Sequence, residues 1–86
     1  MVLEGRLFVQ NRMTEIKEVS LELDNPSFSK NLEQALVMLC HELQIPTPLW
    51  MKKNTHEFAA FHQTLFFSDQ FTEKVRFDRF QITMLE

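Results

Sequence analysis

The chain has 86 residues, of which 44% are hydrophobic, and a net charge of −3 from nine basic and twelve acidic side chains. One domain, residues 1–86, accounts for this length, and its small core must be dense in large apolar groups. The aromatic content of nine Phe and one Trp without Tyr is typical of packing, because Phe carries no polar group. The mixed charges lack the basic runs of a nucleic-acid binder, so that function is disfavoured.

Cysteine content and hydropathy indicate the compartment. Cys40 is the single cysteine, which excludes an intrachain disulfide and suits a reducing environment. Charged residues interrupt the N-terminal segment, so we expect no signal peptide, and no stretch has the length of an apolar membrane span. The sequence therefore predicts a cytoplasmic protein that does not contact a membrane.

The first part of the chain alternates apolar and polar side chains, as in a half-buried β-hairpin. Residues 2–10 predict the first strand and residues 13–23 the second, with a turn at Asn11-Arg12. Ile16 does not share the phase of the apolar residues that follow it, which indicates a bulge near Lys17-Glu18.

Residues 27–44 predict the longest helix, preceded by possible caps within Asp24–Ser27. Its apolar positions follow helical spacing and form one stripe: Leu32, Ala35, Leu36, Leu39, Cys40 and Leu43. We expect the stripe to pack on the inward residues of the hairpin, which are Leu7, Val9, Val19, Leu21 and Leu23.

The segment Ile45–Trp50 contains two prolines that disfavour a helix. We interpret it as a stiff connector that delivers Trp50 between helix and sheet, in preference to a ligand for a proline-reading domain. Asn54 and Glu57 have the spacing of a capping box with Asn54 as N-cap, and they predict a short second helix ended by Ser68-Asp69. Its apolar face would comprise Phe58, Phe61 and Leu65.

A last strand is predicted over residues 74–85, with a slip of phase at Asp78-Arg79. The order of elements is then β-β-α-α-β. It predicts an α+β fold, a three-stranded antiparallel sheet with one long and one short helix on one face.

The histidines do not have the spacing of a metal site. His41 and His56 each precede a Glu, but a metalloprotease helix needs a second His four residues later, where this chain has Ile45 and Ala60. His56 and His62 are six residues apart and point to different sides of a helix. We therefore expect no metal and no cofactor.

The candidates for catalysis are few. Cys40 lies within the apolar stripe, which favours core packing over a reactive thiol. Glu57 and Asp78 are the carboxylates of interest, with Trp50 and Asn54 as companions in a possible pocket. Acid–base chemistry needs carboxylates that converge in a cleft, and the sequence does not show convergence. Catalysis is therefore the less favoured hypothesis.

The C-terminal part of the chain, about residues 33–86, resembles a family of short, uncharacterised bacterial proteins of about this length. The matching patterns are Cys-x-Glu-Leu, Pro-x-Trp, Asn-x-x-Glu-Phe and Phe-Asp, which fall on Cys40, Glu42, Leu43, Pro48, Trp50, Asn54, Glu57, Phe58, Phe77 and Asp78. The family has no assigned activity. The resemblance therefore implies a common fold and a bacterial cytoplasmic setting, and it implies no catalytic residues.

These observations favour a non-enzymatic protein-interaction domain, either a homodimer or a small partner of a larger protein. The alternative is a small-ligand binder or enzyme with a pocket near Trp50, Asn54, Glu57 and Asp78. For a homodimer we expect the open face of the sheet to be the interface, with Phe8 and Ile16 pointing outward. One of two C-terminal sets would complete an apolar patch there, either Val75 and Phe77 or Phe80, Ile82 and Met84.

Overall fold

A computed structural model describes residues 1–22 and 26–86, in which a four-stranded antiparallel sheet carries two helices on one face. In chain order the elements are β1 (Val2–Val9), β2 (Arg12–Ser20), α1 (Phe28–Leu43), α2 (Lys52–Phe61), β3 (Gln63–Phe67), a 3₁₀ turn (Ser68–Gln70) and β4 (Arg79–Met84). The strand order across the sheet is β2-β1-β4-β3. The α+β class is confirmed, and the prediction of three strands is wrong, because the residues of β3 also fit the apolar spacing of the preceding helix.

The β1–β2 hairpin turns at Gln10 and Asn11, whose φ angles of 51° and 65° lie in the left-handed region. Two such residues in succession match the twist of a two-residue hairpin loop, and Asn adopts this conformation more readily than most residues. The predicted turn at Asn11-Arg12 is therefore displaced by one residue.

The hairpin contains one bulge, but it is not near Lys17-Glu18. The register shifts between Leu7, which pairs with Glu15, and Phe8, which pairs with Met13, so the extra residue is Thr14. The predicted bulge near Lys17-Glu18 is wrong, because no bulge is required to put Ile16 and Val19 on opposite faces of the sheet. Ile16 lies on the open face by ordinary alternation, three residues before the buried Val19.

Helix α1 forms as predicted. Ser27 is its N-cap and accepts a hydrogen bond from the backbone of Lys30, while Gln44 ends the helix in the left-handed conformation. Every residue of the predicted stripe is buried: Leu32, Ala35, Leu36, Leu39, Cys40 and Leu43. Of their expected partners, Leu7 and Val19 are buried and Val9 and Leu21 partly buried. Leu23 lies outside the described residues, as do Asp24 and Asn25 of the predicted cap.

The one glycine of the chain allows α1 to lie close to β1. A Cβ atom at Gly5 would be 2.8 Å from Cδ2 of Leu39 and 2.8 Å from Cε1 of Phe80, far inside ordinary contact distance. Leu39 and Phe80 are fully buried. The missing side chain is therefore what lets Leu39 pack directly over the middle of the sheet.

Helix α2 begins earlier and ends earlier than predicted. Its N-cap is Met51, so Asn54 is the third helical residue and not the cap. It ends at Phe61, because His62 adopts φ 57° and donates its backbone N–H to the carbonyl of Phe58. Leu65 has the helical spacing from Phe58, but it belongs to β3.

Strand β3 alternates between the two faces of the sheet. Thr64 and Phe66 are buried under the helices, and Gln63, Leu65 and Phe67 lie on the open face. The run from Thr64 to Phe67 has the β-branched and aromatic composition of a strand. The helical spacing of Phe58 and Leu65 concealed it.

Strand β4 is shorter than the predicted residues 74–85. Phe77 precedes it in a loop and packs edge-on against Phe71, with ring centroids 5.2 Å apart. Phe80 and Ile82 are fully buried on the helix side, and Val75 and Met84 pack partly buried against the same core. The prediction that one C-terminal apolar set faces outward is therefore wrong.

Candidate functional site

A groove of about 650 Å³ lies between α1, α2 and the connector that joins them. We call it the aromatic groove. Its apolar lining comprises Phe28, Leu32, Leu36, Pro48, Trp50, Phe58 and Ala59, and its polar lining comprises Ser29, Glu33, Thr47 and Thr55. Glu33 is the one ionisable residue of this lining. The groove is therefore suited to an apolar ligand, and it offers that ligand one carboxylate, Glu33.

The aromatic residues of the groove pack on one another and still expose surface. Trp50 lies edge-on to Phe58 at 6.0 Å and 5.6 Å from Phe66, and Phe28 lies 6.5 Å from Phe58. The indole Nε1 donates to the hydroxyl of Thr55 at 2.8 Å, which fixes the ring. Phe28 is 51% exposed and Trp50 37% exposed. Trp50 thus contacts both α2 and the sheet, as the connector hypothesis predicts, with one side left open.

Asn54 lies behind this groove and makes four hydrogen bonds. Its Nδ2 donates to the hydroxyl of Thr64 at 2.8 Å and to the carbonyl of Leu65 at 3.0 Å. Its Oδ1 accepts from the backbone N–H of Met51 at 2.9 Å and from Nε2 of Gln70 at 3.0 Å. A side-chain amide has two donors and two lone pairs, so Asn54 is fully satisfied. Because Asn54 is also completely buried, its role is structural.

Gln70 completes this network, and we refer to Asn54 and Gln70 as the amide pair. Its Nε2 also donates to the carbonyl of Leu49 at 3.2 Å, and its Oε1 accepts from the backbone of Phe67 at 3.1 Å. The backbone of Leu49 in turn donates to the carbonyl of Gln70 at 2.7 Å. The amide pair therefore fixes the connector against β3. Sequence reasoning missed Gln70, since an amide in a loop carries no pattern.

The two candidate carboxylates do not converge. Glu57 accepts a hydrogen bond from the hydroxyl of Thr64, which connects it to Asn54. Asp78 accepts from the backbone N–H of Gln10 at 2.6 Å, at the hairpin turn. Of the four predicted pocket residues, Trp50 alone lines the aromatic groove. The four residues are thus divided among three places: Asn54 and Glu57 belong to a structural network through Thr64. Trp50 lines the groove, and Asp78 lies at the hairpin turn.

The open face of the sheet is mixed in polarity. Phe8 and Ile16 both lie on it, as predicted, and Ile16 is 44% exposed. The guanidinium of Arg79 lies 4.2 Å from the centre of the Phe8 ring and covers it. An ion pair between Glu4 and Arg6, at 2.8 Å, occupies the same face. The C-terminal apolar residues that were to complete a patch there are inside, so the patch does not form as predicted.

The described residues offer little support for a nucleophilic or a metal-binding site. Cys40 is buried in the core, and burial raises the pKa of its thiol to about 12, against the lowering effect of a hydrogen bond with Thr47. A thiol held in this form is a poor nucleophile. Within residues 1–22 and 26–86, no three His, Cys, Asp or Glu side chains are grouped as a metal ion requires.

Comparison with protein-family models, with curated proteins and with solved structures finds no match to this chain. The resemblance to short bacterial proteins thus stays a prediction. In the part of the chain that the structure describes, no helix has the length and apolarity to cross a membrane.

Proposed function

We propose that this chain is a non-enzymatic protein-interaction domain whose aromatic groove receives the apolar face of an amphipathic helix that carries basic residues. The observation that supports it is the composition of the groove. Two exposed aromatic rings stand over a buried apolar floor, and the one charged group is the carboxylate of Glu33. Aromatic anchors in a desolvated groove are typical of helix recognition, and a basic side chain of the partner would pair with Glu33.

The apolar surface around the connector favours a protein partner over a small molecule. Leu49 and Met51, on either side of Trp50 in the chain, are 50% and 43% exposed. A small ligand would fill the groove and leave these side chains in water, whereas a protein segment would also cover neighbouring surface. The single cysteine and the bacterial resemblance favour the cytoplasm as the place of this contact.

An enzyme is disfavoured by the same geometry. Asn54 and Glu57 are engaged in hydrogen bonds that hold α2 to β3, and Asp78 holds the hairpin turn. General acid–base catalysis needs a side chain positioned to transfer a proton, and the groove lining has one ionisable side chain, with no second group beside it. The second candidate function is therefore binding of a small apolar molecule, which the groove volume of about 650 Å³ accommodates.

Trp50 is the single tryptophan of the chain and lines the groove, so its fluorescence reports occupancy. The probes are two synthetic amphipathic helical peptides with the same apolar face, one with Lys and one with Glu on the polar face. We expect the Lys peptide to shift Trp50 emission to the blue with saturation. The Glu peptide should bind a few-fold more weakly, because Glu33 is at the rim.

Two alanines of α2 provide a matched pair of variants. Ala59 lines the groove and Ala60 does not, and both are exposed. Ala59→Gln should abolish the response to the peptide, whereas Ala60→Gln should leave it intact, with little difference in helix propensity. Equal behaviour of the two variants, or no response to either peptide, would contradict the proposal. Binding of the dye anilinonaphthalene sulfonate without peptide binding would support the small-molecule alternative.

A further inference from the structure

We propose that β2 is a dimerisation edge, and that two copies of this chain pair their β2 strands antiparallel about a two-fold axis at Ile16. This surface is separate from the aromatic groove. The argument begins with the position of β2 in the sheet. Within residues 1–22 and 26–86, β2 pairs with β1 on one side and with no strand on the other.

The free side of β2 presents backbone hydrogen-bonding groups. Leu21 donates its N–H to the carbonyl of Met1 at 2.8 Å and accepts from the N-terminal amine at 2.9 Å, so Leu21 is directed toward β1. Successive residues of a strand direct their N–H and C=O groups to opposite edges, and the pairing of β1 with β2 is regular from Val2 to Leu7. The N–H and C=O groups of Ile16, Glu18 and Ser20 therefore point to the free edge, where a further strand can bind.

The charges of β2 select one register for self-pairing. A two-fold axis at Ile16 places Glu15 of each copy opposite Lys17 of the other, and it pairs the two Ile16 side chains. An axis at Lys17 would oppose two cations, and an axis at Glu18 would oppose two carboxylates. Like charges directly opposite are destabilising, so the register at Ile16 is the complementary one. The bulge at Thr14 ends the pairing at a short segment.

The helix layer leaves room for this arrangement. Leu39 lies directly over Gly5 of β1, and the adjoining side of α1 contacts β2, so the helix lies across both strands. With strands about 4.8 Å apart, a helix axis midway between β1 and β2 would put the two copies of α1 about 10 Å apart, a distance at which helices pack side by side without a clash. Val37, which is 49% exposed, and Met38 line a groove between α1 and β2 beside this edge. A second copy would cover that apolar surface as well.

Light scattering after size exclusion, at low salt and over a range of concentrations, tests the interface. The wild type should approach twice the 10.3 kDa mass of the chain. Lys17→Glu replaces both opposite-charge pairs by like-charge pairs and should weaken dimerisation about tenfold. Glu15→Lys should do the same, and its loss of the exposed ion pair with Arg76 is of small effect on folding.

Mixing the two variants provides the decisive control. Lys17→Glu carries two carboxylates at the interface and Glu15→Lys two cations, so the mixture should recover the dimer mass that each variant alone has lost. Recovery would also show that both variants are folded. A wild type that stays monomeric at high concentration would overturn the proposal, as would a mixture that stays monomeric. A dimer disrupted by Phe8→Glu and unaffected by Lys17→Glu would assign the interface to the open face instead.

Discussion

Gly5 offers a direct test of how tightly α1 is packed on the sheet. In the Gly5→Ala variant the added methyl would lie 2.8 Å from Cδ2 of Leu39, 2.8 Å from Cε1 of Phe80 and 3.0 Å from Cγ of Leu39. Ordinary contacts begin near 3.4 Å, so both neighbours must move by about half an ångström or more. Phe80 has little freedom to move, because its ring stacks on Phe66 at 5.7 Å.

The expected cost follows from two opposing effects. Overpacking of a well-filled core costs about 1–3 kcal/mol, and replacement of Gly by Ala recovers about 0.4–1 kcal/mol through the lower entropy of the unfolded chain. The net loss of stability should be about 1–2 kcal/mol. For a domain of this size, that corresponds to a fall in Tm of about 5–15 °C.

Urea unfolding followed by far-ultraviolet circular dichroism measures this loss, and a double-mutant cycle assigns it to the contact. Leu39→Ala should itself cost about 2–5 kcal/mol, since Leu39 is fully buried. It also removes two of the three close contacts with the added methyl. The double variant should therefore be less destabilised than the sum of the single variants by about 1 kcal/mol. An unchanged or raised Tm for Gly5→Ala, or strict additivity in the cycle, would refute the reasoning.

Two further predictions concern buried polar groups. Asn54→Ala should destabilise the fold by at least about 2 kcal/mol, because it removes four hydrogen bonds at a fully buried position and leaves the carbonyl of Leu65 without its side-chain partner. Urea unfolding measures this, and a loss below about 0.5 kcal/mol would contradict the role of the amide pair. Cys40 should react with Ellman's reagent far more slowly in the native protein than in urea, and rapid native reaction would contradict its burial. Because the pKa of this thiol is raised from 9.0 to about 12, the unfolded chain releases the proton first, and stability should fall as pH rises through that interval.

The features that the sequence predicts correctly are those with a local periodic pattern. The stripe of α1 repeats over about three turns, and only a helix places Leu32, Leu36 and Leu43 on one face. The hairpin follows equally from alternation. The errors occur where two patterns compete, as at Leu65, whose spacing from Phe58 fits a helix although its neighbours fit a strand. The left-handed His62 that separates the two elements has no marker in the sequence.

The site was less accessible to sequence reasoning than the fold. The sequence predicts Trp50 at the site, but it also predicts Asn54 and Glu57 in the same pocket, although both bond to Thr64 behind the groove. Hydrogen bonds between distant segments follow no spacing rule, so their partners could not be named. Phe28 is a groove residue that the pattern could have predicted, because it continues the stripe of α1 one turn before Leu32.

The amide pair also determines how the sheet can grow. Asn54 binds the carbonyl of Leu65 and Gln70 binds the N–H of Phe67, and both groups belong to the outer edge of β3. Those two groups are not available to a strand from another molecule, which makes β2 the more open edge of the sheet. If the sheet can extend at the β2 edge alone, it adds one partner, and in the resulting dimer both β2 edges are occupied. Such a molecule is protected from the open-ended polymerisation that two free edges would permit.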